Sequence, residues 1–201
     1  MYNDLLLPDP AKTHRYMTTY TGKQFRLTGL LPGQVDIEDI VHALPQVVRY
    51  QGMCDGFYSV AEHSVLVARM ARAAGYREKV VRACLLHDAH EAYVGDFPSP
   101  FKVIVPGLKS WETDVELVVR EALNLPSENW SGWHAVKHFD ILALHVEANS
   151  LFTPVPEWVD PALVIRAEKL LDSKDPILCV QPDKGEAYFR EAAGRLGIVG
   201  L

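Results

Sequence analysis

Four ionisable side chains crowd into five positions of the stretch CLLHDAHEAYVGDFPSP, Cys84 to Pro100: His87, Asp88, His90 and Glu91. They follow an apolar, helix-like run and precede a break at Gly95-Asp96-Phe97-Pro98. Burying such groups is costly unless something pairs with them or coordinates them. This end of the segment therefore either lies at the surface or lines a site. Imidazoles and carboxylates aimed at one point are the donor set of a divalent metal ion. Two residues on other segments extend the set: His63 in SVAEHS and Asp140 in VKHFDILAL. Glu91 stands four positions after His87, so on a continuous helix it shares that face and reaches a water on the same ion. Taken singly, each residue also has an ordinary reading: a satisfied core histidine, a chance His-Asp dipeptide, a solvated aspartate. Spacing alone leaves the choice between a metal site and these readings open.

The elements that must carry these residues read as helices. DIEDIVHALPQVV places Ile37, Ile40, Val41 and Leu44 on one face, with Asp36 as N-cap and Pro45 as terminator. RYQGMCDGFY follows as a loop. SVAEHSVLVARMARAAGY opens on Ser59-x-x-Glu62, a capping box, and ends at Gly75. A further helix is expected over Arg77 to Val94, followed by a turn at GDFPSPFK. SWETDVELVVREALNL is expected to start at Ser110 and to bury Val115, Val118, Val119 and Leu123. HAVKHFDILALHVEANSLF carries Asp140 beside the apolar positions Val136, Ile141 and Leu144. ALVIRAEKLL and Glu186 to Leu196 close the chain after a proline-rich stretch. Only TYTGKQFRL, Thr19 to Leu27, suggests a short hairpin. The fold class is therefore all-α, a bundle of at least six helices with at most a short N-terminal hairpin.

The chain has 201 residues, 48% hydrophobic and 23% charged, with a formal net charge of -6. That suits one domain with a sizeable core. No basic run is present, which disfavours a duplex nucleic-acid binder. The three cysteines, Cys54, Cys84 and Cys179, show no CxxC or zinc-finger spacing and fit a reducing, cytoplasmic compartment. The start lacks a basic region followed by a long apolar one, so no signal peptide is expected. No apolar stretch approaches the length of a membrane span.

The order SVAEHS, LLHDAHEAYVGDFPSPFK, VKHFDILA resembles the HD-domain superfamily of metal-dependent phosphohydrolases. Within it, the pattern is most similar to bacterial 5′-deoxynucleotidases and phage-type deoxynucleotide phosphohydrolases. The resemblance covers a core of residues 36–152 within a single domain, 1–201, and leaves 153–201 as a C-terminal helical extension. It implies one divalent metal ion (Mn, Co, Fe, Zn or Mg) on His63, His87, Asp88 and Asp140. It implies that Glu91 orients or deprotonates the attacking water and that Asp96 contacts the substrate near the leaving group. Arg49 falls where a phosphate-clamping arginine is expected, and Tyr50 where an aromatic ring stacks on a base. Lys102 and Lys137 fall at lysine positions of the pattern, Lys102 as a phosphate contact and both with a solvated reading beside it. His134 and His138 lie where two-metal relatives place extra ligands, but they do not share the face of Asp140, so one metal is expected. His90 is expected to be exposed and Cys84 to be packing.

The implied activity is hydrolysis of a phosphate ester of a small-molecule nucleotide, a deoxynucleoside 5′-monophosphate or triphosphate, with no membrane partner. A homodimer or higher homo-oligomer is also implied, since Val115, Val118, Val119 and the C-terminal segment offer apolar faces beyond the needs of a small bundle. The alternative is a non-catalytic nucleotide-binding or regulatory module of the same fold.

Overall fold

A computed structural model describes residues 16–26, 29–127, 129–171 and 177–199. Strands β1 (Tyr16–Thr18) and β2 (Gln24–Arg26) form an antiparallel hairpin, with Met17 opposite Phe25. Leu27 lies outside the described residues. The helices follow: α1 (Ile37–Ala43), α2 (Val60–Ala73), α3 (Glu78–Leu85), α4 (Glu91–Val94), α5 (Ser99–Ile104), α6 (Leu108–Ala122), α7 (Trp133–Leu151), α8 (Pro161–Glu168) and α9 (Pro182–Gly194). The architecture is the expected all-α bundle. No helix among the described residues is long and apolar enough to cross a membrane.

Helix α2 is the central element. Val60 to Ala68, Met70 and Ala71 are all buried, so it is enclosed on nearly every side. It packs against α3, α7 and α9. Its entry is held by the capping box: Glu62 N donates to Ser59 Oγ at 3.3 Å, and Ser59 N donates to Glu62 Oε2 at 3.2 Å. Asp36 caps α1 by accepting from Glu38 N at 3.0 Å. Pro45 closes α1 within a 3-10 turn, Leu44–Gln46. The hairpin is fastened to the bundle by Phe25, stacked on Tyr93 at 4.5 Å, and by Thr21 N donating to Asp39 Oδ1 at 2.7 Å.

Several expectations change. The helix expected over Arg77 to Val94 stops at Leu85 and resumes only at Glu91. Between them the backbone tightens to i→i+3 bonds, Ala89 N to Leu86 O at 3.1 Å and Glu91 N to Asp88 O at 2.9 Å. GDFPSPFK is not only a turn. Pro100 sits in the first turn of α5, where its fixed φ is already helical. Helix α6 starts at Leu108, not at Ser110. Gly107, at φ 81, makes the entry, and Ser110 Oγ donates back to the Gly107 carbonyl. Ile141 is exposed, and Phe139 and Leu142 mark the buried side of α7 with Val136. Val115 and Val119 are core residues of this chain and are not spare apolar surface.

The capping box yields a stability test. Ser59→Ala removes the acceptor for Glu62 N at the head of the central helix and is expected to cost about 1 kcal/mol. A urea midpoint unchanged from wild type contradicts that account.

Candidate metal centre

Helix α2 brings His63 into the core, fully buried. The turn after α3 supplies His87 and Asp88, and α7 supplies Asp140. His63, His87 and Asp88 form one tight group, and Asp140 approaches it from the side of the two imidazoles. His63 Nε2 lies 3.3 Å from His87 Nε2, 3.5 Å from Asp88 Oδ2 and 3.3 Å from Asp140 Oδ1. His87 Nε2 lies 3.1 Å from Asp88 Oδ2 and 3.9 Å from Asp140 Oδ1. An ion with bonds of 2.0–2.2 Å spaces neighbouring ligands about 2.8–3.1 Å apart when octahedral and about 3.3–3.6 Å apart when tetrahedral.

The tautomers decide what these contacts are. His63 Nδ1 faces Glu147 Oε1 at 2.6 Å, and His87 Nδ1 faces the Cys84 carbonyl at 2.8 Å. Both partners are acceptors, so each Nδ1 carries the proton. An ion at the centre would require a bare Nε2 lone pair from each ring. For His63, burial and Arg49 oppose its charge, but Glu147 and Asp140 overcome them and raise its pKa to about 9, so metal and proton compete for its Nε2. Two imidazole nitrogens and two carboxylate oxygens meet there, which is the donor set of a divalent ion once each Nε2 is deprotonated. Such a cluster is satisfied by a cation, and its N/O composition fits a divalent transition metal.

No sequence pattern singles out Glu147. It is fully buried and accepts from His63 Nδ1 at 2.6 Å, from Tyr58 OH at 2.9 Å and from Tyr50 OH at 2.9 Å; Arg49 Nη2 lies 3.3 Å away. Burial works against its charge, and His63 and Arg49 overcome that and hold the carboxyl down at about 2. It stands behind His63 as supporting carboxylates stand behind metal-binding histidines, where they fix ring orientation and raise ligand basicity. The one available signal is its position seven residues after Asp140, two turns along the same face of α7.

A cavity of about 710 Å³ opens on the cluster, and Arg49, Glu91, Asp96, Asp88, Asp140 and Lys102 all line it. Arg49 is buried, with Nη1 3.9 Å from Asp88 Oδ2 and with Nε lacking a protein partner. It sits in a 3-10 turn, Arg49–Gly52, in which Tyr50 and Gln51 adopt φ of 55 and 54. Left-handed backbone of this kind costs roughly 1–2 kcal/mol per residue outside glycine. Tyr50 OH on Glu147 and Gln51 Nε2 on the Asp96 carbonyl, 2.9 Å each, hold the turn in place.

Glu91 does not share a helix face with His87, because the helix is broken between them, yet it borders the same cavity. Its Oε2 is buried without a partner. Burial, followed by Asp88 and Asp96, pushes its pKa well above the usual carboxylate range. Burial likewise raises Asp96. Tyr50 lines the cavity, but its ring is already engaged, edge-on to Phe152 at 5.2 Å. Trp133 and Trp158, which no sequence motif marks, also line the wall. Lys137 is exposed and pairs with Asp140 Oδ2 at 2.8 Å. Lys102 turns to Glu112 at 2.7 Å. His90, expected at the surface, is buried because α6 covers it. Among the described residues, His134 and His138 join no cluster of metal-ligating groups. Cys84 is buried packing whose carbonyl orients His87.

Comparison with known proteins identifies the family. The sequence model of the HD domain matches residues 44–118. The Escherichia coli protein YfdR is 31% identical over 150 residues, which is 72% of this chain and 80% of YfdR. A Rhodobacter capsulatus protein is 32% identical over 164 residues, 79% of this chain and 80% of its own length. Among solved structures, the cyanophage S-2L HD phosphohydrolase DatZ, bound to dA and one catalytic Zn²⁺ ion, overlaps with a TM-score of 0.46 at 20% identity, covering 80% of this chain and 98% of that one. On the family match and the two sequence relatives, the chain belongs to the HD-domain superfamily.

Glu147 supplies the test of this centre. Glu147→Gln replaces an acceptor-only group by one that also donates, beside four donors. Divalent-metal affinity is expected to fall by about 10–100-fold, as for other supporting carboxylates. A competition titration against a chelator measures it, and an unchanged affinity contradicts the role.

Proposed function

We propose that this chain is a metal-dependent phosphohydrolase that cleaves a phosphate ester of a nucleotide, with a deoxynucleoside 5′-monophosphate or triphosphate as substrate. One observation carries the reading: two imidazoles and two carboxylates approach one another beside a cavity that a buried arginine and an unpartnered buried carboxyl also border.

His63, His87, Asp88 and Asp140 would hold one divalent ion, of Mn, Co, Fe, Zn or Mg. When bound, the ion lowers the pKa of water and screens phosphate charge. Arg49 binds a phosphate oxygen beside Asp88 and stabilises the charge that grows on it during transfer. Its rigid fork suits that oxygen, and Glu147 fixes the fork from behind. Glu91 orients the attacking water and takes its proton at Oε2, the atom that no protein group satisfies. Asp96 contacts the substrate near the leaving oxygen. The aromatic wall of Tyr50, Phe97, Trp133 and Trp158 offers faces for a base, and stacking of this kind tolerates several bases.

Two variants separate holding the ion from using it. His87→Ala and Asp140→Ala are expected to lose metal and activity together. Glu91→Gln is expected to keep stoichiometric metal and substrate affinity and to lose about a hundredfold or more in turnover. Elemental analysis beside single-turnover rates decides: metal retained in both ligand variants, or lost in Glu91→Gln, reassigns these roles.

Substrate class is tested by kcat/KM for deoxynucleotides, ribonucleotides and p-nitrophenyl phosphate under one metal. The best nucleotide is expected to exceed the aryl phosphate by about a hundredfold or more, the scale of two lost contacts of 1.4 kcal/mol each. Equal rates replace the reading with a general phosphatase. Tight nucleotide binding without turnover under any metal replaces it with a binding module.

A further inference from the structure

Beside the metal centre lies a second group of potential ligands, His90, Glu91 and Glu112. Glu112, on α6, is fully buried. Its Oε1 is 2.7 Å from Lys102 Nζ and 3.7 Å from His90 Nε2, and its Oε2 is 3.3 Å from Lys109 Nζ. Two ammonium groups therefore flank one carboxylate: Lys109 donates to Oε2, and Lys102 pairs by charge with Oε1, which accepts no well-aligned hydrogen bond. That arrangement makes Glu112 a counter-ion and leaves it poorly placed to ligate a second metal.

Lys102 needs such an anchor. It projects from α5, a helix of which no residue is buried, and whose Val103 and Ile104 are open to solvent. Hydrophobic packing does not fix the position of α5, which rests against α6. Lys102 nonetheless borders the same cavity as Arg49 and Glu91, as do Lys109 and Glu112. A free lysine has about 2 kcal/mol of rotamer entropy to lose on binding an anion, and an ion pair formed in advance removes part of that cost.

We propose that Glu112 is a positioning residue: it holds Lys102 at the cavity wall as a preset cationic arm for an anionic oxygen of the substrate. This rests on the phosphohydrolase reading above. Two measurements test it on the full chain loaded with Mn²⁺: titration with inorganic phosphate, and steady-state kinetics on the best nucleotide. Glu112→Gln is expected to weaken phosphate binding and raise KM by about tenfold, the worth of one charge-assisted hydrogen bond. Metal content stays unchanged and kcat stays within about twofold. Added to Lys102→Met, the same change has no further effect.

The direction of the effect is decisive. If Glu112 acts by charge alone, removing an anion beside the phosphate tightens binding, and the proposal is overturned. If it only supports the fold, Tm falls while KM and phosphate affinity hold, and the proposal is overturned likewise. Glu112→Asp keeps the charge but retracts it by one methylene. Positioning requires weaker phosphate binding in this variant too, and wild-type affinity there overturns the proposal even where Glu112→Gln does not fold. A wild-type protein that neither binds phosphate nor turns over any nucleotide overturns the functional reading as well. A wild-type protein that does both, with Glu112 variants that match it, overturns this inference alone.

Discussion

The buried carboxylate of Glu147 is the constraint on which the rest depends. With no access to water, it persists as an anion only because His63, Tyr58, Tyr50 and Arg49 all present donors to it. Removing one partner from such a group leaves a buried charge partly uncompensated, which is more costly than never having built it. The four donors come from α2, from the strand-like entry to α2 and from the Arg49–Gly52 turn, while the acceptor sits on α7. One interaction therefore sets the ring of His63, the guanidinium of Arg49 and the spacing of two helices.

Around that point the chain departs from ordinary local preferences twice. The backbone winds too tightly after Leu85, and it adopts left-handed angles at Tyr50 and Gln51. Both departures carry residues that face the cavity. The first aims His87 and Asp88 at one centre, which adjacent residues of a regular α-helix, about 100° apart, do poorly. The second turns Arg49 inward while Tyr50 reaches Glu147. Local strain kept by strong tertiary contacts is the pattern expected where a site is built.

What could be read from the sequence was what neighbouring residues decide. The capping box of α2, the Asp36 cap, the Pro45 stop and the hairpin each depend on residues within a few positions. The set His63, His87, Asp88 and Asp140 was legible only through the family resemblance of their order, since types and spacing alone left it open, and their distances were not legible at all. The break after Leu85 was hidden, because Leu86 to Val94 is an acceptable helix by propensity and the tighter i→i+3 bonds there leave no local mark. Ser110 looked like a cap because the left-handed entry at Gly107 has no pattern beyond one glycine. Glu147 was hidden for a different reason. Its partners His63, Tyr58 and Tyr50 lie 84, 89 and 97 positions away, and no local pattern records such a separation. His90 looked exposed because the helix that covers it begins far downstream.

The ring of His63 is gripped at both nitrogens from one helix, with Asp140 toward Nε2 and Glu147 at Nδ1. The two carboxylates are seven residues apart on α7, about 10.5 Å along its axis. That interval works as a caliper closed on an imidazole. Its jaws do not themselves dictate the residues between them: Ile141 faces water, while Leu142, Ala143 and Val146 are held by the core. The jaws do not accept a change in length. One residue inserted or deleted between positions 140 and 147 rotates one jaw by about 100° and shifts it by about 1.5 Å, so the ring keeps one carboxylate and loses the other. Between these two positions composition answers to the core, through Leu142, Ala143 and Val146, while length answers to the imidazole.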